Sequence, residues 1–328
     1  MNFGWDVLEI DSHAEVSRVA GELRERIAVT LRKRGAVVAI SGGVDSAVCA
    51  ALAVRALGPD RVCALILPER ESSPESATRA RQLALHLGIE PIEENLTSTL
   101  EAIGCYRRRD EAVRRAIPEF GSGWRMKLVV AGGDDGRIVH FNLVTVAPDG
   151  ARQERRLALR EYLEIVAATS YKQRIRKTIE YFHADRLNYA VLGTPNRLEY
   201  DQGFFVKNGD GSADVKPIAH LYKSQVYAIA RYLCLPDEIA TAAPTTDTYS
   251  LAQGQDEFYF ALPHREMDLA LWALNHEVLA DDFARVLGIT RQAAQRIYAG
   301  VDAKRRATRY LHRRPILLGP VPEIEDAE

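Results

Sequence analysis

Residues 36–52, AVVAISGGVDSAVCAAL, decide the fold. Ala36–Ile40 is a short continuous apolar run, the pattern of a strand buried on both faces. It breaks at SGG, passes an acid, and becomes an Ala-rich segment with helical spacing over 46–57. A buried strand that enters a helix through a glycine turn opens a βα unit of a parallel sheet. The turn leaves the sheet at its carboxyl end, where such folds bind ligands. Gly42 and Gly43 permit positive φ and close backbone approach. Their N–H groups can form an anion-binding nest, and the following helix adds its positive end. Ser41 and Ser46 add hydroxyl donors. The turn therefore reads as a phosphate seat, although GxxxxGK[ST] is absent. Asp45 discriminates further. A carboxylate beside phosphate repels it unless a divalent cation such as Mg²⁺ is shared between them. The plainer alternative is that Asp45 caps the helix.

Outward from this stretch, strand and helix alternate. Val16, Val19, Leu23, Ile27 and Leu31 give a helix over 14–33. Val62–Leu67 is a second strand, Glu75–Leu87 a helix stopped by Gly88, and Ile89–Glu93 a third strand. After residue 105 the pattern changes. CYRRRDEAVRRA is a basic helical stretch, and the GGDDG turn between alternating runs predicts a β-hairpin at 124–147, with a third strand near 152–159. The segment 124–159 reads as a β-rich insertion, a solvated decoration or dimer contact rather than catalytic machinery. A long helix follows at 160–184, then a buried strand at Tyr189–Gly193, a Gly- and Asp-rich loop, and a helix at Tyr222–Leu233. The last hundred residues are mostly helical. The expected class is α/β: a doubly wound, mainly parallel sheet with a small inserted hairpin and a helical C-terminal region, one domain over 1–306 and a tail over 307–328.

The bulk numbers narrow the function. The chain has 328 residues, 43 Lys+Arg against 45 Asp+Glu, and 47% hydrophobic residues. Such balance gives no global basic field for nucleic acid. The N-terminus lacks a signal-peptide pattern and no apolar run is long enough to span a membrane. Cys49, Cys63, Cys105 and Cys234 are scattered without a CxxC, as in a reduced cytoplasmic protein.

Three further stretches carry a resemblance. SGGVDS after a buried strand resembles the pyrophosphate loop of the N-type ATP pyrophosphatases, whose fold is adenine nucleotide alpha-hydrolase-like. ATSYKQRIRKTIEYFHADRLNYAVLGTPNRLEYDQGFFVKNGDGSADVKPIAHLYKSQVYAIARYL, 168–233, resembles the ammonia-dependent NAD synthetases almost throughout. APTTDTYSLAQGQDE, 243–257, resembles that family's PTADL…QxDE segment, and LPERESSPES, 67–76, its LPSRYSSxxS form. The resemblance implies a ligase that adenylates the nicotinate carboxylate of deamido-NAD with ATP and then admits ammonia, releasing AMP and pyrophosphate. It also implies Mg²⁺ and a homodimer.

Residue by residue, the match makes Asp45 and Glu199 metal ligands. Ser41, Gly42, Gly43, Asp45, Ser46, Arg70, Thr194, Lys223 and Thr245 become ATP contacts. Without the resemblance, Glu199 reads as a loop acid, Thr194 as a strand-end cap and Lys223 as an exposed helix lysine. Arg174, Lys207, Asp214 and Lys304 match contacts for deamido-NAD, with Arg174 and Lys177 one turn apart and Arg176 turned elsewhere. Their alternative is a solvated basic face. Asp210, in the GDG turn, is the candidate for holding or deprotonating ammonia, with Lys223 beside it as the second catalytic candidate; a turn pair explains Asp210 equally. Phe204 or Phe205 is placed to stack on the nicotinate ring, or simply packs.

The chain departs from the family where its HKRR motif stands as Ala303, Lys304, Arg305 and Arg306, so either His312 compensates or the substrate is held differently. The 35 residues ahead of Ala36 are too few for a nitrilase-like amidotransferase, so nitrogen is expected as free ammonia or from a separate glutaminase. Competing readings are a sister enzyme amidating another carboxylate, a tRNA-modifying enzyme and a non-catalytic interaction protein. The near-neutral charge and scattered cysteines disfavour the tRNA-modifying enzyme; the presence of Asp45, Glu199 and Lys223 disfavours the non-catalytic protein.

Overall fold

A computed structural model describes residues 3–131, 140–244, 248–254, 259, 262–319 and 321–322. Its main sheet has four parallel strands in the order β3-β2-β1-β7: β1 (Ala36–Ala39), β2 (Val62–Ile66), β3 (Ile92–Glu93) and β7 (Ala190–Val191). The chain winds outward from β1 through β2 to β3, then returns to place β7 on β1's other side. The order reverses between β1 and β7, and this switch point is where a doubly wound sheet opens a crevice.

Strand periodicity explains the two buried faces. Ala36, Val38 and Ile40 pack with helices α1 (Ser12–Glu25), α2 (Val44–Leu57), α3 (Pro74–His86) and α8 (Lys223–Tyr232). Val37, Cys63 and Leu65 face the opposite way, onto α4 (Thr97–Ala102), α5 (Cys105–Ala116) and α6 (Leu159–Leu187). A four-residue strand whose residues point alternately into two apolar layers must be apolar throughout. The expected helix over 14–33 begins at Ser12, capped by Asp11, and its last turn, Arg26–Thr30, widens to a π-helix.

The expected hairpin is a three-stranded antiparallel sheet of β4 (Arg125–Ala131), β5 (His140–Val146) and β6 (Arg152–Arg156). It is not a solvated decoration. Met126, Leu128 and Leu143 are buried with Val113, Ile117 and Ile165 from α5 and α6. The segment after Thr248 docks on β4, where Leu251 N donates to the Met126 carbonyl at 3.1 Å and Met126 N donates to Ser250 Oγ at 2.9 Å.

The C-terminal region is helical as expected: α9 (Asp237–Ala240), α10 (His264–Asn275), α11 (Ala280–Leu287) and α12 (Arg291–Thr308). Its core, around Leu269, Leu271 and Phe283, also receives Leu198 from α7 (Arg197–Gln202) and, at the chain's other end, Phe3, Trp5 and Leu8.

Candidate active site

The SGG turn after β1 forms the floor of a pocket of about 470 Å³ at the sheet's switch point. Gly42 has φ +79°, and a Cβ there would collide with the Ser76 carbonyl oxygen at the start of α3. The backbone thus needs glycine on two counts, conformation and space. Ser46 is buried and braces the turn: its hydroxyl donates to the Gly43 carbonyl at 3.0 Å and accepts from Ser41 N at 3.2 Å. Ser41 Oγ in turn accepts from Gly43 N at 3.3 Å. The first turn of α2 has no side-chain cap, so Asp45, already inside the helix, does not serve as one.

Asp45 instead faces Lys223. The lysine opens α8, is 2% exposed, and donates its ammonium to Asp45 Oδ2; Asn196 Nδ2 donates to Oδ1 at 3.0 Å. Burial works against the Lys223 charge, but Asp45 and then Glu199 outweigh it and hold the ammonium above the ordinary lysine range. Lys223 is therefore a buried cation, not an exposed helix lysine. Its backbone N–H and that of Ser224 donate to the two carboxylate oxygens of Asp268, at 3.2 and 2.7 Å. Asp268, on α10, is wholly buried, and burial lifts its carboxyl to about 6 against those hydrogen bonds. Glu199 sits at the third position of α7 in a reciprocal capping box with Asn196. Asn196 thus ties both carboxylates expected to be metal ligands. Thr194, beyond β7, lines the same pocket.

The opposite wall is one face of α6. Thr169, Gln173, Arg176, Lys177 and Glu180 line the pocket at successive turns. This corrects the expectation for Arg176. Arg176 points inward, its Nε donating to the Leu67 carbonyl at 3.2 Å. Arg174 is not among the lining residues and donates to the Lys207 carbonyl at 3.3 Å. The GDG turn packs against this face: a Cβ at Gly211 would collide with the Phe205 ring, and one at Gly209 would crowd Gln173. Asp210 lines the pocket, accepts from Val206 N at 2.9 Å, and is pushed upward in pKa by burial. Phe204 and Phe205 both line the pocket but have ring partners, Tyr259 for Phe204 and Tyr200 for Phe205. From β5, Phe141 stacks on Tyr162 of α6 with centroids 4.2 Å apart, and both rings line the pocket. The small sheet therefore supplies a wall of the site.

Other expected contacts lie apart from the pocket lining. Arg70 reaches Glu101 at 3.2 Å and covers the Tyr106 ring at 3.8 Å. Lys207 Nζ donates to the carbonyls of Tyr310 and Arg313, at 2.9 and 3.3 Å. Asp214 accepts from Val191 N at 2.7 Å and from the Tyr181 hydroxyl at 3.3 Å, holding the end of β7. Lys304 stands over the Tyr259 ring at 4.9 Å, and burial drops its ammonium to about 8. His312 sets its imidazole edge-on to Tyr200 and Phe205, so the C-terminal turn reaches the pocket's outer wall. Thr245 lies outside the described residues.

Sequence reasoning passed over a buried network next to this wall. Lys172, 1% exposed, lies 2.9 Å from Glu69 Oε1 and 2.7 Å from Glu71 Oε2, and donates to the Thr248 carbonyl at 3.0 Å. Arg109 pairs with Glu71 at 2.5 Å, and the Tyr106 hydroxyl donates to Glu69 at 2.6 Å. The network ties the loop after β2 to α5, α6 and Thr248. Glu69 and Glu71 lie in the polar stretch PERESSPES and Lys172 in the polar, basic TSYKQRIRK, so local sequence carried no signal that they are buried.

A parallel sheet that places a glycine turn, two carboxylates and a buried lysine at its switch point defines a nucleotide-binding α/β protein of the adenine nucleotide alpha-hydrolase-like class. Comparison with known proteins narrows the class. The family model described as NAD synthase matches residues 15–131 and 143–309, and the chain belongs to that family. It is 53% identical over 312 residues to the NH(3)-dependent NAD(+) synthetase of Mesorhizobium japonicum, covering 95% of this chain and 98% of that one. Among solved structures it is similar to an NMN synthetase from Francisella tularensis, with TM-score 0.63, 21% identity and coverage of 95% of this chain and 99% of that one. An NH3-dependent NAD synthetase from Campylobacter jejuni gives TM-score 0.62 at 20% identity, covering 94% and 100%. At those identities the structural likeness speaks to fold. The family match is interrupted over 132–142, from the end of β4 into the first residues of β5.

Proposed function

We propose that this pocket amidates deamido-NAD to NAD with ammonia, consuming ATP and releasing AMP and pyrophosphate. One observation carries the reading: the SGG turn with Asp45, Glu199 and Lys223 shares a single pocket with the Arg176, Lys177 and Asp210 wall. The first group suits a triphosphate, the second a carboxylate substrate and its nucleophile. The N–H groups at Gly42 and Gly43 and the start of α2 receive the β- and γ-phosphates, which leave together as pyrophosphate. Lys223, a compact buried cation, meets charge that builds on the phosphates during adenylation. Asp210 holds ammonia near the acyl-adenylate. The pocket walls limit water's access to that mixed anhydride.

The donors here fit Mg²⁺. Two carboxylates, Asp45 and Glu199, offer hard oxygens, and phosphate oxygens and water complete such a shell. No cluster of three or more potential ligand side chains occurs among the described residues. Bound there, Mg²⁺ would neutralise phosphate charge and orient the leaving group.

The functional unit proposed is a homodimer in the cytoplasm. Leu159, Leu163 and Phe182 along α6 are exposed apolar side chains suited to a subunit contact. Four free cysteines suit a reducing compartment. Among the described residues no helix is long and apolar enough to cross a membrane.

The test supplies deamido-NAD, ATP, Mg²⁺ and ammonium and follows NAD, AMP and pyrophosphate. Equal yields of the three are expected. No NAD at millimolar ammonium refutes the reading, and pyrophosphate release with nicotinate mononucleotide in place of deamido-NAD favours the sister-enzyme reading, in which Ala303 reflects another substrate.

A further inference from the structure

Glu180 has no role in the account so far, yet it lines the pocket. It stands on the inward face of α6, one turn beyond Lys177, whose ammonium donates to Glu180 Oε2 at 2.6 Å. Both side chains are only 6% exposed. The GDG turn brings Asp210 to the same wall, close enough that its charge acts on Glu180. Two acids at one end of a pocket, with a lysine paired to one of them, is a costly arrangement unless a cation or a proton is handled there.

We propose that Glu180 is a catalytic base of the amidation step, taking the proton that ammonium must lose before its nitrogen can attack. This rests on the function proposed above. The balance is as follows. Ammonium gives one proton to Glu180 and regains its lone pair. The nitrogen bonds to the nicotinate carbonyl carbon, and the bond from that carbon to the AMP oxygen breaks, AMP leaving with the electron pair. The nitrogen, now cationic, gives its second proton to Asp210. Lys177 is the positioning residue that holds the Glu180 carboxylate toward the pocket.

The surroundings shift Glu180 in the direction a base needs. Burial raises the Glu180 carboxyl above the ordinary range, Lys177 opposes that rise, and Asp210 adds to it. Arg176 on the same helix faces Glu180 as a further cation. Lys216 faces Asp210 and Lys177, and its ammonium is lowered by burial. On the same helix the Tyr181 hydroxyl is pushed up to about 12 by burial and then Asp214, with Glu180 a smaller contributor. A base works best with a pKa near the operating pH, and burial beside a like charge moves a carboxylate that way.

The experiment compares wild type with Glu180→Gln in three assays. Adenylation alone is read as deamido-NAD-dependent exchange of pyrophosphate into ATP, and the variant should retain it, which also shows that it folds. Amidation with ammonium near pH 7 should fall by about 100-fold, with the loss shrinking as pH rises and free ammonia becomes abundant. Amidation with hydroxylamine, unprotonated at neutral pH, should stay near wild type. Unchanged turnover with ammonium across this pH range overturns the proposal, and so do equal losses with ammonium and hydroxylamine. Absence of NAD from the wild type itself removes the function reading, and this inference with it.

Discussion

The pair between Lys223 and Asp45 makes a sharp prediction, because one partner is 2% exposed and the other opens onto the pocket with a side chain 16% exposed. Removing one member of a fully buried pair costs about 3–5 kcal/mol, whereas exposed pairs contribute about 0–1. Asp45 keeps its Asn196 partner and some access to water, so Lys223→Met should cost about 3 kcal/mol, the lower end of the buried range. For a chain of this size that is a fall of about 4 °C in Tm. Asp45→Asn leaves a buried ammonium with Glu199 as its remaining counter-charge and should cost a similar amount. The double variant removes both charges, and replacing a whole buried pair is often neutral. Its stability should therefore lie well above the sum of the singles, with a coupling of about 2–3 kcal/mol. Denaturant unfolding of the four proteins at pH 7 in the absence of nucleotide measures this. The Lys223 contribution belongs to a group whose pKa is raised on folding, so it is fully present at pH 7 and is lost only as pH climbs beyond the ordinary lysine value. Additive single losses would refute the ion-pair argument, since the two groups would then be stabilised by separate partners.

Gly42→Ala should abolish pyrophosphate release and destabilise the fold by at least about 1–2 kcal/mol, because an L-residue at φ +79° is strained and its Cβ meets the Ser76 carbonyl; near-normal turnover would refute the tight turn. Asp268 titrates higher when folded, at about 6, than the unfolded value of about 3.9. The native state thus binds more protons between those values, and this group makes stability decline as pH rises from about 4 to 6. Asp268→Asn should flatten that slope relative to wild type, and parallel stability curves would show that the carboxyl does not titrate there. Lys172→Met leaves Glu69 and Glu71 with one fewer cation and should cost about 3–5 kcal/mol, whereas Lys172→Arg should recover part of it; a loss under 1 kcal/mol would mean that Arg109 and Tyr106 suffice.

Legibility in sequence followed the range of the signal. The β1 turn and its helix could be read because one local stretch carries strand, glycine pair, acid and helix together. The small sheet at 125–156 was equally plain as a hairpin, but its place was not. Period-2 alternation says that one face is buried and not what covers it, and the cover proved to be α5, α6 and Tyr249. The long helix α6 shows the same limit. Both its sides pack, one on the sheet and one on the pocket, so spacing alone could not say that Arg176 turns in while Arg174 turns out. Asp268 was invisible for another reason: its partners are backbone N–H groups more than forty residues away, which leave no trace in the side-chain pattern. Asp214 shows the converse, a residue legible by resemblance whose contacts in the fold are the backbone of β7 and Tyr181.

The contact between Asp268 and the first turn of α8 bears on how the protein is made. A chain emerges from the ribosome N-terminus first, at about 5–20 residues per second, and folds unit by unit. The glycine turn, Asp45, Glu199 and Lys223 all emerge before the residue that fixes Lys223's helix. Until α10 is out and docked, the lysine's N–H groups have no carboxylate and the nucleotide half of the pocket stays unfinished. A nascent chain stalled short of residue 268 would carry Ser41, Asp45, Ser46, Glu199 and Lys223 and still lack the carboxylate that fixes the first turn of α8, so the pocket is completed late in synthesis.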